Sequence, residues 1–491
     1  MKNTKKALTG ILALSIVSGL AACGGDSSGG DASGGGDTTI ATTTGVTVAI
    51  NEEGLKEGEQ EKLEGVMGQL RDEELENKEV KWLSWYDINP STNGASKSVY
   101  LEMFEQKYGG HVKWYECTWQ DRFDKLSTSV LGGDGIDIFV GEETGNMPGR
   151  IFTGGGMFQP VDDYIDINDD IWQNVKQGME IYNFGGKHFQ FVTDLTAEEL
   201  CVYNKKTIEE NGFDDPWELF EEGKWNWDTF KSMLMDFCDP EYEQYGLDGY
   251  WAENALYMSA GVPLITTDST GHLICNINDP TIEKAMDFQY GLYRDGLVFD
   301  RSQFQWQEHP EMMATGQQLF YIIGAYTVVG KPETWSHQIE PENVGIVPVP
   351  SPAGSDPYQV ARMNGFVLCK GAANPEGAAR LSECWILANN DPEAIAIADR
   401  KTMDDSKLSA EIIAHIREVD ELARKYPVVD LSSGASVDIA GYTSQGGDDV
   451  GTRAALHGKD WASNREGLAD GLIMLVSDAD AELQAKIAEW N

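Results

Sequence analysis

The sequence predicts an α/β fold in which a mostly parallel sheet is covered by helices on both faces. Between residues 80 and 140, apolar runs of strand length alternate with amphipathic runs of helix length. The helical runs repeat their apolar residues every three or four positions, as a helix with one buried face requires. Strands separated by single helices pair in parallel, because each helix carries the chain back to the start of the sheet.

The ends of these strands indicate where a site should lie. In open sheets of this class, ligands bind beyond the carboxyl ends of the strands. Trp85 and Asp87 end the first strand, Trp119 follows the second and Glu142 follows the third. The expected bounds are strands at 80–85, 111–117 and 136–140, and helices at 99–108 and 123–132.

The first 22 residues have the layout of a secretory signal peptide. Three lysines within residues 2–6 precede an apolar stretch at 7–20, which is shorter than the roughly 20 residues that cross a bilayer. Residues 20–23 (LAAC) resemble the bacterial lipobox. This resemblance implies cleavage before Cys23 and acylation of its thiol, for example with palmitate. We expect an exported lipoprotein held at the outer face of the cytoplasmic membrane.

A tether and a spacer are expected after Cys23. Residues 24–45 are almost entirely Gly, Ser, Asp and Thr, a composition typical of flexible linkers. Charge dominates residues 51–78, which predict a solvated helix or spacer rather than a core element. The folded body is therefore expected to begin at Glu79, with residues 23–78 outside it.

The charge of the chain excludes several classes of partner. The formal net charge is −44, whereas nucleic-acid binding requires a basic footprint. Anionic lipid is disfavoured for the same reason, so a lipid tail rather than charge must hold the protein at a membrane. Most of the acidic side chains are expected to form a solvated surface.

Six cysteines remain besides Cys23, and they show neither a CxxC motif nor clustering with histidine. Three disulfides are possible in an oxidising compartment. We favour free, buried thiols for most of them, because several lie in apolar strand-like runs. The six are Cys117, Cys201, Cys238, Cys275, Cys369 and Cys384.

Several short motifs, each weak alone, occur in a consistent order along residues 79–390. Together they resemble the extracellular solute-binding proteins of the maltose-binding type. Asn226 and Asn374 in these motifs also have the position of helix N-caps, so those two identify the fold rather than a ligand; Trp227 is accordingly expected to pack in the core. The motifs are residues 104–108 (FEQKY), 133–138 (GDGIDI), 160–164 (PVDDY), 202–206 (VYNKK), 226–230 (NWDTF) and 374–379 (NPEGAA).

The resemblance implies a two-lobed periplasmic-binding-protein fold of type II, with a mostly parallel sheet in each lobe. Lobe one would combine residues 79–190 with 330–390, and lobe two would combine 191–329 with 391–491. The chain would cross between lobes within residues 189–196 and again between 326 and 344. Hinge closure on a ligand held between the lobes follows from this architecture.

A carbohydrate is the ligand that the resemblance and the composition favour. A sugar ring needs flat aromatic platforms together with charged or amide hydrogen-bonding groups, and the chain has 14 Trp and 18 Tyr. Residues 324–326 resemble the family's Gly-x-Trp, with tyrosine in place of the tryptophan that stacks on sugar. The candidate ligand-binding residues are Trp85, Asp87, Trp119, Glu142, Asp194, Trp251, Tyr326 and Asn364.

An enzyme is disfavoured, and neither a cofactor nor a metal ion is predicted. The chain lacks a P-loop, an HExxH motif and a GxSxG elbow. Paired carboxylates could hydrolyse glycosides, but Glu142 and Glu143 are adjacent and point apart in an extended segment. Residues 166–177 fail the calcium-loop pattern, because Ile171 replaces the glycine and Gln177 the bidentate glutamate.

The expected function is a monomeric, lipid-anchored receptor that captures a carbohydrate, preferably an oligosaccharide, and delivers it to the permease subunits of an ABC importer. Three alternatives remain open at this stage. The ligand could be a peptide, a polyamine or another small solute. The protein could also be a surface glycan-binding adhesin without a transport role, or a glycosidase.

Overall fold

The computed structural model describes residues 55–89, 96–141, 156–305, 307, 309–330, 339–444, 450 and 457–490. The strands are β1 Glu79–Ser84, β2 His111–Glu116, β3 Ile138–Val140, β4 Asn183–Phe184, β5 Lys187–His188, β6 Gln190–Ala197, β7 Glu199–Asn204, β8 Tyr245–Gly249, β9 Ile265–Thr267, β10 Leu273–Cys275, β11 Gln318–Gly324, β12 Val344–Val347, β13 Gln359–Leu368 and β14 Pro427–Val428. The α-helices are α1 Glu59–Met67, α2 Val99–Tyr108, α3 Arg122–Gly132, α4 Asp170–Gln173, α5 Lys176–Ile181, α6 Lys205–Glu210, α7 Pro216–Glu221, α8 Trp227–Phe237, α9 Ala252–Met258, α10 Pro280–Arg294, α11 Ala325–Val328, α12 Pro375–Asn390, α13 Pro392–Ser406, α14 Ala410–Lys425, α15 Val437–Ser444 and α16 Trp461–Trp490.

The predicted unit of three strands and two helices is confirmed. β1 pairs in parallel with β2 along its whole length, from Glu79 opposite His111 to Ser84 opposite Glu116. It also pairs in parallel with β3, where Trp82 lies opposite Ile138. The apolar faces of α2 and α3 and the short glycine-containing connections make this unit predictable from local sequence alone.

Two principal sheets organise the molecule. The first has the order β14-β13-β3-β1-β2, with β6 paired to β13, and the second has the order β12-β7-β11-β8. In the first sheet, β13 runs antiparallel to both β3 and β6. In the second, β8 and β11 are parallel, and β7 is antiparallel to β11 and β12. Both sheets are mixed, and helices flank them.

Along the strands that the structure describes, the chain passes from one principal sheet to the other at two places. β6 leads into β7 through the single residue Glu198. The sequence placed the second passage between 326 and 344, but the chain leaves the second sheet only after β12, because β12 pairs with β7, with Val347 opposite Cys201. All four residues of β12 are buried in the core of the second sheet. β6, for its part, belongs to the first sheet, so we propose that the lobe boundaries lie near residue 198 and within 348–358.

The region assigned to an acidic spacer contains a core helix, so the expectation that the folded body begins at Glu79 is wrong. Leu63, Val66 and Met67 of α1 are buried in the same apolar cluster as β1 and α2. Beside this cluster, the half-buried Glu59 accepts from Nη2 of Arg400 on α13 at 2.6 Å. One stripe of three apolar residues at helical spacing is enough to dock a helix, however charged its other faces are.

The expected helix caps are confirmed. Asn226 accepts hydrogen bonds from the backbone N–H groups of Asp228 and Thr229, and Asn374 accepts from that of Gly377. Trp227 is buried and stacks on Phe288 with ring centroids 4.4 Å apart, as expected of a packing residue.

The six cysteines of the described body lie unpaired, and four of them are buried. Burial raises the pKa of the Cys117 thiol to about 11, which keeps this group protonated and unreactive at neutral pH. Within the described ranges, no helix has both the length and the apolar character needed to cross a bilayer.

Candidate ligand-binding cleft

A two-stranded ribbon joins the edges of the two sheets. Only residues 366–368 of β13 pair with β3, whereas residues 361–367 pair with β6. The first half of β13 therefore extends beyond the carboxyl ends of β1 and β3 and toward the second sheet, which β6 enters directly as β7. Along this half, Val360, Arg362 and Asn364 are half-buried and alternate with buried residues. Their face forms the floor between the two sheet edges.

The edge of the first sheet presents packed aromatic rings. Trp85 and Trp119, which follow β1 and β2, meet edge to face with centroids 4.8 Å apart. The guanidinium carbon of Arg122 lies 3.6 Å from the centroid of Trp119 and 4.3 Å from that of Phe123. Trp119 keeps 41% of its surface exposed. This edge therefore offers one aromatic platform, in which Arg122 covers one face of the Trp119 ring.

The edge of the second sheet presents two rings that stand out from the surface. Trp251 follows β8 and Tyr326 follows β11, and these parallel strands are neighbours. Trp251 is 43% exposed and Tyr326 is 55% exposed. A Cβ atom at Gly324 would lie 2.4 Å from Cε1 of Tyr326, so the ring rests directly on this glycine. A side chain at position 324 would collide with the aromatic ring two residues later, which explains why glycine precedes the aromatic residue at this spacing.

Trp251 has an unusual backbone conformation. Its φ is 63°, in the left-handed region that bulky residues rarely adopt. Two residues earlier, Gly249 has φ 152°, and a Cβ there would lie 2.0 Å from the carbonyl oxygen of Ile322. Such conformations cost about 1 to 3 kcal/mol and persist where surrounding structure enforces them, often at functional sites.

A cavity of about 270 Å³ lies beside Trp251. Its lining combines apolar and polar groups, and the carboxylate of Asp430 is held in place by hydrogen bonds from the Tyr257 hydroxyl at 2.8 Å and the Leu264 N–H at 2.6 Å. The volume is near the lower limit for sites that bind small organic molecules. Lining residues include Trp251, Asn254, Val360, Asp430, Ser432 and Ser433.

Sequence reasoning missed most of this cavity. Asn254 lies on α9 and residues 430–433 follow β14, so the two groups are far apart in sequence. The only available signal was the polar run that follows the short strand β14, which by itself resembles any loop.

Polar groups of the floor bond to one another. The Asn364 side-chain amide donates to Thr196 Oγ1 at 2.9 Å. Arg362, which sequence reasoning also missed, donates to Glu198 at 3.1 Å and lies 5.8 Å from the Tyr326 ring centroid. Asn364 thus lies on the floor, between the edges that carry the predicted aromatic residues.

Asp194 lies at the crossing but is engaged by the protein. Its two carboxylate oxygens accept from Nε and Nη2 of Arg424 at 2.8 and 2.9 Å, and the side chain is 6% exposed. Burial raises the pKa of Asp194, and the Arg424 guanidinium opposes this effect. Contact between Asp194 and a ligand stays a prediction, and we propose that its role is to hold the crossing.

Two further buried carboxylates flank the same crossing. Asp420 accepts from the backbone N–H of Ala197 at 3.0 Å, and burial raises its pKa to about 7. Burial also raises the pKa of Glu199 well above its usual value, and the neighbouring charge of Glu198 adds to this effect.

Of the remaining predicted residues, only Asp87 lies in the part of the chain that the structure describes. Asp87 is half-buried, and its Oδ1 accepts from the backbone and side-chain nitrogens of Asn89 at 2.9 and 2.8 Å. Glu142 and Cys23 lie outside the described residues. Among the residues that the structure describes, no group of three or more His, Cys, Asp or Glu side chains is arranged to hold a metal ion.

Two sheets with their strand ends facing a shared floor, joined by short crossings, define a two-lobed binding protein. The chain belongs to the bacterial extracellular solute-binding proteins, whose family model matches residues 100–414, more than half of the chain. No curated protein sequence matches it.

Solved structures of sugar-binding proteins share the fold. The sugar-binding protein MalE from Xanthomonas citri has a TM-score of 0.59 at 16% identity, covering 84% of this chain and 99% of that one. The galacto-N-biose/lacto-N-biose I-binding protein of a Bifidobacterium longum ABC transporter, in complex with lacto-N-biose, has a TM-score of 0.56 at 13% identity, covering 81% and 98%. An ABC substrate-binding protein from Listeria monocytogenes, in complex with cycloalternan, has a TM-score of 0.52 at 14% identity, covering 84% and 99%. At these identities, the similarity establishes the two-lobed fold.

Proposed function

We propose that this protein captures a carbohydrate, preferably a short oligosaccharide, between its lobes and delivers it to an ABC importer. The observation that carries the proposal is the pair of aromatic edges on either side of a polar floor. Exposed rings of Trp119, Trp251 and Tyr326 suit the apolar C–H faces of sugars. Arg362 and Asn364 on the floor, with Asp430 in the cavity, can bind sugar hydroxyls.

The size of the cavity bears on the length of the ligand. A cavity of about 270 Å³ has room for one sugar ring rather than for a chain of rings. An oligosaccharide would place one terminal ring beside Trp251 and further rings against Tyr326 and the platform of Trp119. The ligands bound in two of the structural neighbours, lacto-N-biose and cycloalternan, support this class of ligand.

Ligand binding is expected to favour a closed arrangement of the lobes. A saccharide that touches both edges has higher affinity for the state in which the edges approach, so it shifts the population toward that state. The single-residue connection at Glu198 and the second connection within 348–358 would act as hinges. Closure would signal to the permease that the receptor is loaded.

The receptor would act outside the cell, held by a lipid on Cys23. Membership in an extracellular family supports export, and the net charge of −44 leaves little attraction for anionic lipid. Growth with radioactive palmitate should label the wild-type protein in a bacterial host and leave Cys23→Ser unlabelled. Equal labelling of both would contradict the anchor.

We propose a binding role rather than an enzymatic one, as the family membership suggests. Incubation with maltotetraose at micromolar protein should release no new reducing ends over hours. Release at enzymatic rates would favour a glycosidase.

A thermal-shift panel tests the proposed ligand class. The panel would contain maltotriose, maltotetraose, lacto-N-biose and cycloalternan, with a tripeptide and putrescine as non-sugar competitors. A ligand at a hundredfold excess over its Kd stabilises the folded state by about 2.7 kcal/mol, which raises Tm by a few degrees. A shift with a peptide or diamine and with none of the saccharides would contradict the carbohydrate assignment.

A further inference from the structure

A buried ion pair lies behind the turn that carries Trp251. Asp248 is on β8, directly before Gly249, and its Oδ1 accepts from Nε and Nη2 of Arg301 at 2.8 and 2.5 Å. Nη2 of Arg301 also donates to the carbonyl oxygen of Gly249 at 2.6 Å. The side chains of Arg301 and Asp248 are only 9% and 1% exposed. One guanidinium thus holds both the end of the strand and the first peptide of the turn.

The turn needs such a constraint. The Gly249 carbonyl belongs to the peptide plane between Gly249 and Tyr250, so its bond to Arg301 fixes that plane. Trp251 lies two residues after Gly249, and its φ of 63° is unfavourable for a large L-residue. Because α9 begins directly after Trp251, the direction of the indole depends on the few dihedral angles that follow this fixed plane.

Arg301 is itself held by rigid structure. The preceding segment runs beside β8, where Leu247 N–H donates to Leu297 O at 2.9 Å and Phe299 N–H donates to Leu247 O at 2.8 Å. The rings of Phe299 and Phe304 stack with centroids 4.5 Å apart on either side of Arg301 in sequence. Arg301 therefore begins a short 3-10 helix directly after a segment that is hydrogen-bonded to β8, the strand that leads into the turn.

We propose that Arg301 is a positioning residue for the ligand site, which sets the orientation of the Trp251 ring without contacting the ligand. The guanidinium holds the Asp248 carboxylate through two nitrogens, Nε and Nη2, while Nη2 also reaches the Gly249 carbonyl. Lysine has a single nitrogen on a flexible stem and cannot reproduce this planar two-nitrogen geometry. The effect on the turn is independent of the ligand. The effect on affinity rests on the proposed function.

Fluorine NMR tests the effect on the turn without any ligand. Protein labelled with 5-fluorotryptophan should show the Trp251 signal, assigned by its loss in Trp251→Phe. In Arg301→Met and Arg301→Lys, we expect this signal to shift or broaden while the other indole signals stay in place. The control is Arg380→Met, which breaks a comparably buried pair in α12, where Arg380 Nη1 and Glu383 Oε2 are 2.8 Å apart. An unchanged Trp251 signal in both Arg301 variants would overturn the proposal.

A double-mutant cycle with maltotetraose measures the consequence for binding. We expect Arg301→Lys to weaken affinity about tenfold when Trp251 is present and less than twofold in the Trp251→Ala background. Equal losses in both backgrounds would mean that Arg301 acts through general stability, and would overturn the positioning role. If maltotetraose does not bind the wild type, the proposed ligand has failed, and the fluorine spectra alone decide the role of Arg301.

Discussion

The crossing between the sheets and the strand ends beside it use their side chains in opposite ways. At the crossing, Asp194 is bonded to Arg424, and Asp420 accepts from the backbone of Ala197. At the strand ends, Trp251 and Tyr326 keep about half of their surface exposed. Near the cleft, buried carboxylates are therefore hydrogen-bonded within the protein, while the aromatic rings at the strand ends keep a large part of their surface exposed to solvent.

This contrast teaches how to separate stability from recognition. Buried charges need partners, because an unpaired charge in a protein interior costs several kcal/mol. An exposed aromatic ring needs no partner inside the protein, and leaving it in contact with water costs only a small solvation free energy. Substitutions at the crossing should change unfolding, and substitutions at the strand ends should change binding.

The largest effect is expected from Asp194→Ala. Removal of the carboxylate leaves the Arg424 guanidinium without its bidentate partner, which should lower the free energy of unfolding by about 3 to 4 kcal/mol. Urea denaturation would measure it. Asp399→Ala is the control, because its pair with Arg417 at 2.6 Å is more exposed and should cost about 1 kcal/mol or less. Unchanged stability with abolished saccharide binding would make Asp194 a ligand contact instead.

Asp420→Asn should alter the pH dependence of stability. The folded pKa of about 7 lies above the usual value of 3.8, so between these values the folded state holds a proton that the unfolded state has released. The wild type should therefore lose stability relative to Asp420→Asn as pH rises from 4 to 7, by about 3 kcal/mol. Urea denaturation at a series of pH values measures this. Glu418→Gln, on an exposed face of the same helix, should follow the wild-type curve; parallel curves for Asp420→Asn would contradict the prediction.

Trp251→Ala should reduce binding while leaving the fold intact. Loss of a central aromatic contact costs about 2 kcal/mol, or roughly thirtyfold in Kd, measured by calorimetry with the best saccharide of the panel. The free energy of unfolding should stay within about 0.5 kcal/mol of the wild type. In the matched variant Trp227→Ala, the buried ring is lost and stability should fall by about 3 kcal/mol or more. If Trp251→Ala destabilises as much as Trp227→Ala, its ring belongs to the core.

Trp119→Ala should show a smaller, mixed effect. Its ring supports Trp85 and Arg122 as well as facing the cleft, so part of its loss should appear as about 1 kcal/mol of stability. Affinity should fall about fivefold, less than for Trp251→Ala. A larger affinity loss here than at Trp251 would reverse the comparison between the two edges.

The parts of the molecule that could be predicted are those encoded within short windows. The bounds of α2 and the positions of β1 and β2 follow from periodicity and from glycine breaks, and they were predicted within about one residue. The docking of α1 against the core was not predicted, because the apolar stripe of this helix is short and its other residues are highly charged. The pairing of β12 with β7 was missed because two buried strands some 140 residues apart give no local sign of being neighbours.

For the site, sequence reasoning selected positions but not partners. Tyr326 follows a strand, as the sequence predicted, but that this strand is the parallel neighbour of the strand before Trp251 became known only from the structure. The hydrogen bonding of Asp194 by Arg424 likewise depends on a helix 230 residues further along the chain.

The sequence by itself determined the class of fold, the alternation of its first strands and helices, and the positions at which strand ends would present aromatic residues. These properties depend on hydrophobic periodicity and backbone preference, which act over a few residues. Only the tertiary structure decided which of these residues remain exposed, which carboxylates are paired, and how the turn before Trp251 is held. Those outcomes depend on burial and on the distances between groups that are remote in sequence, and both exist only once the chain has folded.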